Sequence, residues 1–287
     1  MQYLGVITHP DKQSTSPAFQ QAALDALGLD IKYERWPTPV DGIDTRVTGL
    51  RAPSVLGANV TIPHKETAMA LVDELDDLAQ RVGAVNTILN TEGRLSGYNT
   101  DVEGFLRSLE VEGGVTPRGR RVLIAGAGGA ARAVVIALIE GGAEHVRIIN
   151  RDQQRAVRLA GNLRLQESDT ELDVLPDTPE NWAKAAAEAD TLVNCTSLGM
   201  AGGTEEQRSP IPARLIHPDM LVYDLVYRPS ETPLLRDAKA RGAKTIGGLP
   251  MLIYQGAASF KIWTGEDPPI DVMTAAAREA LGLGESA

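Results

Sequence analysis

Lys65 lies in the stretch Asn59-Val60-Thr61-Ile62-Pro63-His64-Lys65-Glu66, where the apolar run Val55 to Val60 reads as a strand. A helix is expected to begin near Pro63, because a first helical position has no use for the N–H that proline lacks. Lys65 then falls in the first helical turn, where the positive end of the helix dipole disfavours a cation. Open α/β sheets bind their ligands at the carboxyl ends of strands. A lysine held against the local field at such an end is a candidate for chemistry, and a solvated surface lysine is the plain alternative.

A second set of residues points to a nucleotide. The apolar strand Arg121 to Ala125 runs at once into Gly126-Ala127-Gly128-Gly129-Ala130-Ala131. An apolar helix, Arg132 to Glu140, and a second strand, Val146 to Asn150, follow. That βαβ context turns a weak glycine pattern into a dinucleotide fingerprint, in which backbone approaches a pyrophosphate at a helix N-terminus. An NAD site would usually place an acid at the end of the second strand. Here Asn150 and Arg151 stand there, with Arg155 one turn on. Guanidinium groups suit a 2′-phosphate, so NADP is favoured over NAD. Asp152 can pair with an arginine or accept a ribose hydroxyl, which leaves NAD open. The bland alternative for Arg151 and Arg155 is an exposed helix face.

The elements that must position these groups follow from pattern. Strands are expected at Tyr3–Thr8, Ile31–Trp36, Val55–Val60, Ala84–Asn90, Leu95–Tyr98, Arg121–Ala125, Val146–Asn150, Leu172–Leu175, Thr191–Asn194 and Met220–Asp224. Helices are expected between most of them, and two more after Leu249, Met251–Trp263 and Val272–Leu281. Alternation of this kind predicts an α/β fold with a doubly wound parallel sheet in the second half. The Gly/Pro-rich stretch Glu110–Gly119 reads as a linker.

The chain has 287 residues, enough for one or two domains, and a formal charge of −10 that argues against nucleic acid as a general partner. Its longest apolar run, Ala133 to Ile139, is too short to span a bilayer, and MQYLGVITHP does not read as a signal peptide. Cys195 is the only cysteine, which fits a reducing, cytoplasmic setting. His9, His64, His145 and His217 show no metal-ligand spacing, and no metal site is predicted.

Taken together the motifs stop being generic. Ser14-Thr15-Ser16-Pro17, Asn59 to Lys65, Gly83-Ala84-Val85-Asn86-Thr87, Asn99-Thr100-Asp101, Gly126 to Ala130 and Asn150-Arg151 appear in order. So do Asp224 to Tyr227 with Pro229, Thr232-Pro233-Leu234, Gly248, and Met251 to Ala257. This series resembles the shikimate dehydrogenase family, including its quinate/shikimate branch, over essentially the whole chain. The resemblance implies a discontinuous substrate domain, residues 1–103 with 249–287, and a Rossmann NADP domain, residues 104–248. It implies reversible reduction of 3-dehydroshikimate to shikimate by NADPH, in a monomer or homodimer. Lys65 resembles the catalytic lysine, paired with Asp101. Ser14 and Ser16 look like donors to the substrate carboxylate. Asn59, Thr61, Asn86, Asp101 and Gln255 look like partners of the ring hydroxyls, with Tyr227 near the substrate. Gly126, Ala127, Gly128, Gly129 and Ala130 look like the cofactor loop, and Asn150, Arg151, Asp152 and Arg155 like the 2′-phosphate clamp. Thr196, Leu225 and Gly248 look like nicotinamide-side contacts.

Each assignment has a structural alternative. Asp101 can be the N-cap of the helix that follows, Ser14 and Ser16 turn residues, and Asn86 and Gln255 satisfied core amides. The chemistry favours function: hydride transfer to a ketone builds charge on oxygen, and Lys65 beside Asp101 supplies a donor. Three positions depart from the family pattern. Gln20 stands where histidine is common, His64 where phenylalanine is, and Asp152 where threonine follows Asn-Arg. They keep quinate or aminoshikimate substrates and dual NADP/NAD use open. A nucleotide-sensing protein without turnover is the reading from a different class, and it needs neither Lys65 nor Asp101.

Overall fold

The computed structural model describes residues 1–11, 14–163 and 168–284. The chain divides into two compact units, Met1–Gly104 with the chain from Ile253 onward, and Phe105–Leu252.

The first unit carries β1 (Gln2–Thr8), α1 (Ser16–Ala26), β2 (Ile31–Pro37), α2 (Ile43–Gly49), β3 (Val55–Val60), α3 (Lys65–Met69), β4 (Glu74–Leu75), α4 (Asp77–Val82), β5 (Thr87–Thr91) and β6 (Arg94–Tyr98). The sheet order is β2-β1-β3-β5-β6-β4. Strands β1, β2 and β3 are mutually parallel, whereas β5 runs antiparallel to both β3 and β6. The β5–β6 hairpin closes on Glu92-Gly93, both at positive φ (53° and 90°), the geometry that matches a two-residue loop to strand twist. As a result the carboxyl ends of β1, β3 and β6 and the amino end of β5 lie at one edge of the sheet. The core beneath it includes Ile7, Val60, Val85, Ile88 and Leu95.

Helix α5 (Asp101–Val111) leaves this unit after Gly104, α10 (Leu249–Thr264) enters it at Ile253, and α11 (Ile270–Ala280) lies wholly within it. The latter part of α10 packs on the sheet: Trp263 Nε1 donates to the Ile88 carbonyl at 2.9 Å. Gly57 makes room for that indole, since a Cβ there would lie 2.6 Å from Trp263 Nε1.

The second unit holds β7 (Arg121–Ala125), α6 (Gly129–Glu140), β8 (His145–Ile149), α7 (Gln153–Leu163), β9 (Glu171–Leu175), α8 (Pro179–Glu188), β10 (Thr191–Asn194), β11 (Leu221–Asp224), α9 (Pro233–Ala240) and β12 (Lys244–Ile246). All its paired strands are parallel, in the order β12-β11-β10-β7-β8-β9. That is the Rossmann order, with the reversal between β7 and β10. Val122 to Ala125 are buried without alternation, as expected of a central strand covered by helices on both faces. Pattern reading missed α9 and β12. The signal for α9 was present: Thr232 caps it by accepting from Leu235 N–H, and Pro233 takes its first position.

Two expectations are corrected. Pro63 is not in the first helical turn; the Ile62–Pro63 peptide is cis and lies in a turn closed by His64 N–H to the Thr61 carbonyl at 2.9 Å. Helix α3 starts at Lys65 and is five residues long, too short for its dipole to define the lysine. The strand expected from Ala84 starts instead at Thr87: Ala84 N–H still bonds back to the Ala79 carbonyl of α4, and Val85 N–H is taken by the Lys65 carbonyl at 2.9 Å.

Candidate active site

In the first unit, the short helix α3 brings Lys65 to the end of β3, and the start of α5 brings Asp101 to the end of β6. Lys65 Nζ donates to Asp101 Oδ2 at 2.6 Å, with side-chain exposures of 19 % and 8 %. The other carboxylate oxygen, Oδ1, accepts from Asn86 Nδ2 at 2.9 Å. Asp101 is the first residue of α5, and its carboxylate is spent on Lys65 and Asn86. The capping alternative is therefore not the observed one; Asn99 Oδ1 accepts the Asp101 N–H instead, at 3.1 Å.

Asn86 is buried and fully engaged. Its Nδ2 also reaches Thr100 Oγ1 (2.8 Å) and Gln255 Oε1 (3.3 Å), and its Oδ1 accepts from Thr100 N–H at 2.8 Å. Gln255 arrives on α10, and Ser259, one turn later on the same face, touches Thr87 Oγ1 at 2.7 Å and Thr100 Oγ1 at 3.2 Å. Sequence reasoning missed Ser259; the four-residue spacing from Gln255 was the available signal.

Asn59 joins the same cluster. Its Oδ1 accepts from Tyr33 Oη at 2.7 Å, and its Nδ2 faces the Asn86 carbonyl, Thr87 Oγ1 and Ser259 Oγ at 3.0–3.2 Å. It is 4 % exposed, and both its polar atoms are bonded to protein. Thr61 stands partly buried at the end of β3, its Oγ1 donating to the Ile7 carbonyl at 3.1 Å. Ser14 accepts the Ser16 N–H at 3.2 Å, and Ser16 opens α1. Gln20 is buried and donates to the Gly256 carbonyl at 2.9 Å. His64 turns inward, 1 % exposed, with Nε2 2.9 Å from the Thr38 carbonyl. A carbonyl only accepts, so Nε2 carries a proton.

The second unit presents the nucleotide loop at the sheet reversal. Gly126 has φ +110°, and a Cβ there would lie 3.0 Å from Thr196 Cγ2 and 3.1 Å from the Cys195 carbonyl carbon. Only glycine fits that position. Gly128 precedes the first residue of α6, and a Cβ on Gly129 would meet no atom within 4 Å. Ala127 is buried, whereas Ala130 is partly exposed in the first turn. Backbone at the amino end of a twelve-residue helix is thus open to an approaching anion. Arg155 leans toward it, its Nη2 3.8 Å from the site of a Gly128 Cβ. Arg151 is 85 % exposed, its Nη1 3.7 Å from Glu205 Oε2, and Arg208 pairs with the same carboxylate. Asn150 Nδ2 donates to the Asp152 carbonyl at 2.7 Å, and Asp152 Oδ1 accepts the Arg155 N–H at 3.0 Å. Asp152 therefore caps α7 and is committed to that backbone bond. These residues fit a dinucleotide carrying an extra phosphate.

Beyond the reversal, Thr196 follows β10, Leu225 and Tyr227 follow β11, and Gly248 follows β12. A buried carboxylate, Asp224, lies among the loops that bear them. Burial raises its pKa to about 6, against opposing hydrogen bonds from Thr232, Val226 N–H and Asn194. Burial pushes the Cys195 thiol well up, so it stays protonated and unreactive. Among the described residues no His/Cys/Asp/Glu group could hold a metal, and no helix is long and apolar enough to cross a membrane.

Family models match three segments: a shikimate dehydrogenase substrate binding domain over residues 6–88, a shikimate / quinate 5-dehydrogenase domain over 113–219, and a shikimate 5′-dehydrogenase C-terminal domain over 248–278. A shikimate dehydrogenase (NADP(+)) of Symbiobacterium thermophilum is 46 % identical over 282 residues, covering 97 % of this chain and 94 % of the relative. The structure of shikimate 5-dehydrogenase from Thermus thermophilus, in complex with NADP(H) and shikimate, is similar at TM-score 0.87 and 44 % identity, covering 98 % of this chain and 100 % of that one. A quinate dehydrogenase from Corynebacterium glutamicum in complex with NAD matches at TM-score 0.87 and 30 % identity, over 96 % and 98 % of the two chains.

Proposed function

The chain belongs to the shikimate dehydrogenase family, and from that premise we propose that it catalyses the reversible NADP-dependent reduction of 3-dehydroshikimate to shikimate, a step of aromatic amino acid biosynthesis. The observation that carries this reading is the contact between Lys65 Nζ and Asp101 Oδ2, 2.6 Å apart and largely withdrawn from solvent.

NADPH, when bound, would supply a hydride to the carbonyl carbon, and the C=O π pair would move onto the ketone oxygen as negative charge. Lys65 answers that charge: its ammonium donates to the oxygen and then gives it the proton. Asp101 holds the ammonium in place, and Asn86 fixes Asp101 by occupying its second oxygen. In the oxidative direction neutral Lys65 takes the hydroxyl proton. Ser14 and Ser16 bind the substrate carboxylate, Thr61 and Gln255 bind ring hydroxyls, Asn59, Asn86 and Asp101 do so by exchanging protein hydrogen bonds for substrate ones, and Tyr227 completes the substrate contacts. Amides and hydroxyls suit a polyol because they both donate and accept.

Gly126, Ala127, Gly128, Gly129 and Ala130 receive the pyrophosphate, and Thr196, Leu225 and Gly248 the nicotinamide. Asn150, Arg151 and Arg155 hold the 2′-phosphate. The support for NADP over NAD is the pair of guanidinium groups, Arg151 and Arg155, beside the glycine loop.

Steady-state kinetics with four pairings, shikimate or quinate against NADP or NAD, test the reading. Shikimate with NADP is expected to give the highest kcat/KM. No shikimate-dependent NADPH formation, with turnover of another polyol acid, overturns the substrate assignment. Comparable rates for quinate with NAD assign the chain to the quinate/shikimate branch instead. The reading carries a cytoplasmic location and a monomer or homodimer, which cell fractionation and static light scattering, respectively, check.

A further inference from the structure

Asp224 has no solvent exposure, and its carboxylate ties the end of β10 to both ends of the β11–α9 loop. Oδ1 accepts from Asn194 Nδ2 at 2.8 Å, the last residue of β10, and from Val226 N–H at 3.0 Å, just after β11. Oδ2 accepts from Thr232 Oγ1 at 2.6 Å, the cap of α9. The contact with Asn194 fixes which way that amide faces. Asn194 Oδ1 is thereby aimed at Thr196, accepting its N–H at 3.0 Å and its hydroxyl at 2.7 Å. Leu225 N–H donates to the Asn194 carbonyl at 3.0 Å, and Gly248 N–H to the Val226 carbonyl at 3.2 Å. Gly248 is pressed against the same loop: a Cβ there would come within 2.1 Å of the Leu225 carbonyl oxygen.

Thr196, Leu225 and Gly248 are therefore each one or two bonds from Asp224, and they lie on the β10–β12 side of the sheet reversal. Arg151 and Arg155 lie on the β8 side. A dinucleotide spans the crevice at such a reversal, one half on each side. We propose that Asp224 is the positioning residue for the nicotinamide half of the cofactor site, acting through Asn194, Val226 and Thr232. The proposal rests on the reading of Thr196, Leu225 and Gly248 as nicotinamide contacts. A buried carboxylate is a costly way to tie loops together, and such a cost is retained where geometry is needed.

The arrangement separates the two ends of the cofactor, which gives the test. Binding of NADP, NAD and 2′,5′-ADP is measured by calorimetry for wild type, Asp224→Ala, Asp224→Asn and Thr232→Val, with shikimate binding and thermal midpoint recorded for each. 2′,5′-ADP carries the 2′-phosphate and adenine but no nicotinamide. Loss of one or two buried hydrogen-bonded supports is expected to weaken NADP and NAD by the same factor, about 10-fold. 2′,5′-ADP and shikimate are expected to bind as to wild type, to within about twofold. Asp224→Asn keeps the acceptor for Asn194 and Val226, and is expected to restore most of the NADP affinity. A parallel loss of 2′,5′-ADP and NADP, or unchanged NADP affinity in Asp224→Ala, overturns the proposal. Where Asp224→Ala does not fold, Thr232→Val alone carries the test by the same criteria. A wild type that binds neither NADP nor shikimate overturns the functional reading itself.

Discussion

Asn86 donates to Asp101 Oδ1 at 2.9 Å, so the carboxylate that holds Lys65 is itself held by an amide from the turn before β5. The two bonds divide the carboxylate between them, one oxygen each. Asn86→Ala removes the support and strips Thr100 N–H of its acceptor. Each buried group left unpaired costs about 1–3 kcal/mol. Misplacement of the lysine by a fraction of an ångström is expected to lower kcat by about 10- to 100-fold. Denaturant melts and kcat measured on the folded protein separate the two effects; an unaltered kcat would detach Asn86 from the catalytic pair.

Lys65→Ala removes the proton donor outright. Turnover is expected to fall by ~10²–10⁴, the usual scale for general acid–base catalysis, in both reaction directions. Shikimate affinity, which the proposed function assigns largely to Ser14, Ser16 and the amides, is expected to change far less. Unchanged turnover would remove Lys65 from the mechanism.

Elements whose burial is set by short-range pattern were legible in the sequence. The strands Val55–Val60, Arg121–Ala125 and Thr191–Asn194 run where apolar continuity puts them, and the glycine loop stands where strand and helix bracket it. What pattern does not carry is the direction in which a polar side chain turns. Asn59 faces Ser259, 200 residues away, a contact that no local pattern announces. His64 turns inward to the Thr38 carbonyl, and one oxygen of Asp152 is taken by the backbone of its own helix. Asp224 drew notice only as part of a motif, because one of its anchors, Asn194, comes from another strand, 30 residues away. Local sequence sets the backbone, and distant partners decide what each polar group has left to offer.

Arg151 and Arg155 differ in setting, which predicts different behaviour. Arg151 is 85 % exposed and loosely paired to Glu205, a type of ion pair that contributes little to stability. Arg151→Ala is expected to leave the thermal midpoint unchanged and to weaken NADP by about 5- to 30-fold, the loss of a charge-assisted bond to a phosphate. NAD affinity, lacking that phosphate, is expected to stay within about twofold. An equal loss for both cofactors would place Arg151 away from the 2′-phosphate.

His64 stands beside Lys65 in sequence but is bonded to Thr38. His64→Phe leaves the Thr38 carbonyl without that donor, at a cost of about 1–3 kcal/mol, partly offset by the buried ring. The pH profile of kcat is expected to keep its shape, since the imidazole has no bond to Lys65 or Asp101. A shifted profile would show that His64 titrates as part of the site.

Asp224 makes stability depend on pH in a defined sense. Its pKa is raised from 3.8 to about 6 in the folded chain, chiefly by burial. Between those values the native state keeps a proton that the unfolded chain has released. The contribution of this group is therefore fully present below pH 4 and is lost as pH rises through 6. A shift of this size corresponds to about 3 kcal/mol. Asp224→Asn is neutral at every pH, so its stability minus that of wild type is expected to rise by about this amount between pH 4 and 7, then level off. The subtraction cancels other carboxylates, including Asp73, whose pKa of about 2, lowered by Arg51, places its own loss of stability at far lower pH. Cys195, the other titratable group that interacts with Asp224, stays neutral throughout. Urea melts of the two proteins across that range make the comparison. A difference that stays constant with pH would mean that the three donors hold Asp224 ionised, with the desolvation of its charge fully offset.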